Sequence, residues 1–147
     1  MKRVIIILAV IIIAVICFSY CYVNIRPRTL DLSDATDCVL TFKSLKNGKP
    51  DKTHVYTLKT EDVEAICGII DGAHMKYDIF DHDYNQCLQL DFSIDGKILS
   101  IAFHGMKDFD ISIAGTNLYS TDITKQDMDE VIDILSKYHP DIAACMY

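Results

Sequence analysis

The sequence predicts an α+β fold: an N-terminal transmembrane helix, then a two-layer sandwich in which a mainly antiparallel sheet carries two helices on one face, in the order β-β-α-β-β-β-β-β-α. Three observations predict it. Residues 4–23 form an uncharged apolar run with basic residues on both sides. The segment QCLQLDFSIDGKILSIAFHG alternates apolar and polar residues around Asp95-Gly96. Two further segments carry apolar stripes at helical spacing.

The N-terminal run holds 20 residues, which as a helix span ~30 Å, the thickness of a bilayer's hydrocarbon core. Tyr20 and Tyr22 sit where an interfacial aromatic belt is expected. A cleaved secretory signal has a shorter apolar region followed by a small-x-small site; no A-x-A follows here, and Ser19-Tyr20-Cys21 is only a marginal cleavage candidate. The sequence therefore divides into a short cytoplasmic n-region at 1–3, an anchor at 4–23, a polar linker at 24–37 and one globular domain at 38–147. Lys2 and Arg3 precede the run while Arg26 and Arg28 follow it, so the positive-inside rule gives only a slight bias toward an extracytoplasmic domain. The expected location is the cell membrane, crossed once.

CVLTFKSL at 38–45 and HVYTLK at 54–59 read as a hairpin, joined by a lysine-rich connection with turn chemistry at Asn47-Gly48 and Lys49-Pro50. In TEDVEAICGIIDG, Thr60 can cap a helix, Glu61 and Asp62 suit its positive first turn, and Gly72 can end it. Val63, Ile66, Cys67 and Ile70 fall on one face. HMKYDIF at 74–80 reads as a strand. Asp95-Gly96 is a two-residue hairpin turn of type I′, and it fixes the register: Phe92 faces Leu99, Leu90 faces Ile101 and Leu88 faces Phe103 on one surface. The opposite surface pairs Asp91 with Ser100, Gln89 with Ala102 and Cys87 with His104.

FDISIAG at 109–115 and NLYS at 117–120 give two more strands. The last helix opens on Thr124 with Asp127 three residues on, a capping box with aspartate in place of glutamate. Met128, Val131, Ile132, Leu135 and Tyr138 form its stripe and Pro140 ends it.

Composition narrows the function classes. The chain carries 14 basic and 21 acidic residues. Setting aside Lys2, Arg3, Arg26 and Arg28, which precede every acidic residue, leaves ten basic against 21 acidic, a formal charge of −11 beyond the anchor. That field opposes a phosphate backbone, so nucleic acid is not an expected partner.

FDHDYNQC at 80–87 invites a calcium reading, because Asp81, Asp83 and Asn85 follow a D-x-D-x-N pattern and Asp78 lies nearby. The helix-loop-helix calcium motif also needs glycine at its sixth position and glutamate at its twelfth, where this chain has Gln86 and Phe92. Asp78, Asp81, Asp83 and Asn85 thus remain candidates for a looser site, the alternative being an acidic strand connection. Five histidines at 54, 74, 82, 104 and 139 show no zinc spacing, and no metal or cofactor is assigned.

The register sets Cys87 beside His104, and Asp108 continues the row. Cysteine, histidine and carboxylate together have the composition of a thiol nucleophile. A flat sheet face offers neither oxyanion donors nor a concave pocket, so no catalytic residue is assigned and Cys87, His104 and Asp108 stand as candidates only. Cys38, Cys67, Cys87 and Cys145 allow three disulfide connectivities in an oxidising compartment. A bridge between Cys38 and Cys67 would leave Cys87 for a partner or for Cys145, and in a reducing compartment all four are small apolar residues. The resulting expectation is a membrane-anchored, non-catalytic interaction module. It would hold the bilayer through residues 4–23 and contact a protein or peptide on the exposed sheet face. The alternatives are a thiol-dependent enzyme using Cys87 and His104, or an accessory subunit of a membrane complex.

Overall fold

The computed structural model describes residues 2–25, 28–46, 49–77, 87–104, 110–114, 116, 118–120 and 122–146. Helix α1 (Lys2–Ile25) leads into β1 (Arg28–Thr29), β2 (Ala35–Lys46) and β3 (Lys49–Thr57). Helix α2 (Thr60–Ile70) and β4 (His74–Tyr77) follow, then β5 (Leu88–Ile94), β6 (Lys97–His104), β7 (Asp110–Ile113) and β8 (Leu118–Ser120). Helices α3 (Lys125–Ser136) and α4 (Ile142–Met146) close the fold.

The eight strands form one antiparallel sheet in the order β1-β4-β8-β7-β6-β5-β2-β3. At its centre, Leu88 pairs with Phe103, Leu90 with Ile101 and Phe92 with Leu99, as the alternation predicts. The turn between them has Asp95 at φ 49° and Gly96 at φ 72°, and two successive positive φ values define the reversal that matches the twist of paired strands. Leu40 joins the Leu90–Ile101 row from β2, and Phe42 joins the Leu88–Phe103 row. Leu40, Phe42, Leu88, Leu90, Phe92, Ile101, Phe103 and Ile111 are all buried.

A single helical layer covers this inner face. Val63, Ile66 and Ile70 of α2 and Met128, Val131, Ile132 and Leu135 of α3 are buried against it, with Ile142 and Met146 of α4 completing the cluster. Thr124 and Asp127 make the reciprocal capping box of α3, worth ~0.5–2 kcal/mol for the cap. Gly72 at φ 77° ends α2, a conformation that costs a residue with a Cβ extra energy.

Several expectations are corrected. The N-cap of α2 is Lys59, which makes no side-chain cap bond, so Thr60 does not cap; the Lys59 N–H donates instead to the Tyr138 hydroxyl, 2.8 Å away. The lysine-rich connection is shorter than expected because 49–53 belong to β3, where Pro50 is tolerated since β3 lies at a sheet edge. The segment read as linker is partly structural: β1 pairs with β4 and Leu30 and Leu32 are buried. Two leucines there supply apolar area that a solvated tether would waste. Helix α3 ends before Pro140 as expected, but past the proline the chain adds a further short helix, α4, that the expected order lacks. The expected strand at 74–80 is described only through Tyr77, and 109 and 115 of the expected sixth strand and 117 of the seventh lie outside the described residues.

Helix α1 runs for 24 residues, ~36 Å at the α-helical rise. Its described side chains are those of residues 5–20. Among the described residues no helix is long and apolar enough to cross a membrane, so the span expected at 4–23 is not established by the fold.

Truncating the inner face should be far more costly than truncating the outer. Leu90→Ala is expected to destabilise the full chain by ~2–5 kcal/mol, and Gln89→Ala on the opposite surface by less than ~0.5 kcal/mol, as read by urea unfolding. Similar losses for both would contradict the assignment of faces.

Candidate functional site

The surface of the sheet away from the helices carries the candidate site. Strand register lines up Val55, Thr41, Gln89, Ala102, Ser112, Tyr119 and Lys76 across seven strands. A second row holds Thr57, Val39, Asp91 and Ser100. Side chains of the two rows interact: Gln89 Nε2 donates to Asp91 Oδ1 at 2.7 Å.

This surface is less bare than the alternation suggests. Val55 and Ile98 are exposed, but Val39, Thr41, Gln89, Asp91, Ser100 and Ser112 are half-buried and Ala102 is wholly buried. The surface is therefore a shallow relief of small polar groups, with backbone hydrogen bonds already used within the sheet. It can offer hydroxyl, amide and carboxylate contacts to a partner laid across it.

Cys87 lies just before β5, half-buried, with its carbonyl accepting the Lys43 N–H at 2.8 Å. The described pairing of β5 with β6 begins at Leu88 and Phe103, so it does not include the expected Cys87–His104 pair. His104 pairs through its backbone with Asp110, and Asp108 lies outside the described residues. Burial pushes the Cys87 thiol pKa up, opposed by the nearby Lys43 ammonium. A ready thiolate needs the opposite direction.

Asp78, Asp81, Asp83 and Asn85 also lie outside the described residues. Among the described residues no group of three or more histidine, cysteine or acidic side chains is placed to hold a metal ion.

The fold brings together two sets of residues that the sequence keeps apart. One is an aromatic cluster in which the His54 and His139 rings lie 4.4 Å apart between centroids. Phe42 packs on both imidazoles and Tyr56 links them to Tyr138. The other is a clasp between α2 and the end of α3. The buried Asp62 carboxylate accepts from Lys137 Nζ at 2.8 Å and from the Tyr138 hydroxyl at 2.6 Å. Those hydrogen bonds, Lys137 first, hold the Asp62 carboxyl below its usual range. Burial, followed by the Asp62 hydrogen bond, raises the Tyr138 phenol. No spacing motif marks either set; the only signal available was an aspartate on a helix face that the fold covers. Both sets join the helical layer to the sheet or to itself.

Comparison of the chain with models of known protein families, with curated proteins and with solved structures found no match in any of the three.

The clasp has a pH signature. Because the folded-state pKa of Asp62 is depressed, its stabilisation is present above the unfolded carboxylate value of ~3.9 and is lost as pH falls through the folded value. Asp62→Asn should cost ~1–2 kcal/mol at neutral pH and flatten the loss of stability below about pH 4, measured by urea unfolding across pH. An unchanged acid limb in the variant would contradict the clasp.

Proposed function

We propose that this chain is a membrane-anchored interaction module: residues 4–23 cross the bilayer, and the outer sheet face, on the extracytoplasmic side, binds a protein or peptide. The observation that carries the anchor is the exposure of α1 on all its sides. Ten aliphatic side chains between Ile5 and Ile16 are each 52–65% exposed. A helix apolar all round is either buried in protein or in lipid. Covering what those ten groups leave exposed is worth ~8–20 kcal/mol, about half to two thirds of the 1.5–3 kcal/mol for each full side chain and comparable to the whole folding stability of an ordinary domain. Water is thus a poor surrounding for α1. Lipid fits its 24-residue helical backbone and its flanking charges.

Support for a binding role comes from the chemistry of the outer face. Hydroxyls, an amide and a carboxylate spread over a half-buried relief suit reversible contact with another polar backbone or side-chain surface. The raised thiol pKa of Cys87 weighs against the enzymatic alternative. The acidic charge beyond the anchor keeps the domain off anionic headgroups and nucleic acid, and leaves a neutral or cationic polypeptide as the fitting partner.

Two measurements test this reading. The full chain should remain with membranes through alkaline carbonate extraction, and Ile11→Lys with Ile12→Lys, costing ~5–7 kcal/mol in the bilayer centre, should release it. Release of the unaltered chain would contradict the anchor. A photo-crosslinking residue in place of Ser100 should give discrete adducts in intact cells, and one in place of Glu130, exposed on α3, should not. Equal adduct formation at both would contradict the assigned face.

A further inference from the structure

We propose that two copies of this chain pair edge to edge through β3, antiparallel, with Val55 facing its own counterpart across a two-fold axis. Among the described residues the sheet ends in β1 on one side and β3 on the other. Strand β1 is two residues long, too short to template a neighbour, whereas β3 has nine. Natural sheets blunt such an edge with lysine, proline or a bulge. In β3 all three devices fall in its first part. Lys49, Pro50 and Lys52 stand there, and the register with β2 shifts between Lys43 and Leu45, opposite Thr53 and Pro50. Residues 53–57 carry none of them and pair with β2 without interruption.

The backbone of that stretch points outward where a partner strand needs it. The Leu58 N–H donates to the Cys38 carbonyl at 2.9 Å, one pair beyond Val39–Thr57 in the same register. Antiparallel ladders alternate pairs that exchange both backbone bonds with pairs that exchange none. His54 and Tyr56 therefore bond to β2, while Thr53, Val55 and Thr57 direct their N–H and C=O groups away from it. The same three residues are exposed, Val55 at 63%. Between them, the rings of His54 and Tyr56 are backed by His139 and Tyr138, which holds the edge in place.

Self-complementarity identifies the occupant as a second copy. Residues 53–57 read T-H-V-Y-T, which by side-chain type is threonine, ring, valine, ring, threonine in either direction. An antiparallel copy centred on Val55 sets Thr53 against Thr57 of the partner subunit, His54 against Tyr56 of the partner subunit and valine against valine, matched cross-strand pairs of the kind that stabilise a sheet. Centring on His54 or Tyr56 instead leaves part of 53–57 opposite the irregular start of β3 or the turn into α2. Charge follows the same symmetry: Asp51 approaches Lys59 of the partner subunit, and Lys49 approaches Glu61 of the partner subunit, all of them exposed. The contact is thus balanced locally although the domain as a whole is acidic. Separation of the two copies, well short of unfolding, is then what opens the outward amides of β3 to exchange.

The test uses the full chain in detergent micelles. Opposed residues of a bonded antiparallel pair lie ~5.5 Å apart between Cα atoms, within disulfide reach, so mild oxidation of Val55→Cys should give a covalent dimer whose unreduced peptide map shows a 55–55 link. Thr53→Cys should link to Thr57→Cys when the two variants are mixed, and not to itself. Val55→Lys sets like charges face to face at an exposed position; it should shift the chain from dimer to monomer in light scattering corrected for detergent, with its circular dichroism unchanged. An unaltered chain that is monomeric at every concentration measured would overturn the pairing. So would a dimer that survives Val55→Lys and forms no 55–55 link, since its contact then lies elsewhere.

Discussion

Everything in this fold depends on the reversal at Asp95-Gly96. Two consecutive positive φ values allow β6 to return beside β5 with no offset, and because side chains alternate with a period of two, that single turn decides which surface of the sheet is apolar. Leu88, Leu90 and Phe92 then share a face with Ile101 and Phe103. Strand β2 extends the same rows with Leu40 and Phe42, and β7 extends them with Ile111 and Ile113. A face this apolar must be covered, and the stripes of α2 and α3 are the material available to cover it.

How much of this is written locally follows from the range of the interactions. The β5–β6 register, the capping box at Thr124 and Asp127 and the stop at Gly72 each involve residues a few positions apart, and each was legible. What escaped detection depends on contacts between distant segments. A two-residue strand such as β1 has no periodicity to detect, and Leu30 and Leu32 look like isolated apolar residues in a polar tether until α2 is laid over them. Thr60 has the right chemistry to cap α2, yet the helix begins one residue earlier and the Asp62 and Val63 N–H groups donate to the Lys59 carbonyl, while the Tyr138 hydroxyl takes the Lys59 N–H from the other end of the chain. The meeting of His54 with His139 is equally tertiary. Of the candidate site, the outer face was legible from alternation alone. Its degree of shelter was not, because the complete burial of Ala102 is a property of the assembled fold and not of the alternation around it.

The chain joins two segments suited to different solvents. Helix α1 exposes aliphatic side chains on every side, while the segment beyond it carries every acidic residue of the chain. An acidic domain of this kind is repelled by anionic lipid, and an aliphatic helix is repelled by water. Under the proposed anchoring, tethering the one to the other would hold the sheet near a bilayer without laying it on the surface. The Asp62 clasp ties α2 to the end of α3 and the Thr124 capping box fixes the start of α3, so α2, α3 and α4 stay on the inner face and leave the outer one to the rest of the chain.

Native-state hydrogen exchange on the full chain in micelles tests the central place of the β5–β6 hairpin in the sheet most directly. The account predicts that amides of Leu90 and Ile101, at the centre of the sheet, exchange only through global unfolding, while amides in β3 that point away from β2 exchange through local opening. Rapid exchange at Leu90 and Ile101, at rates matching the β3 edge, would contradict it.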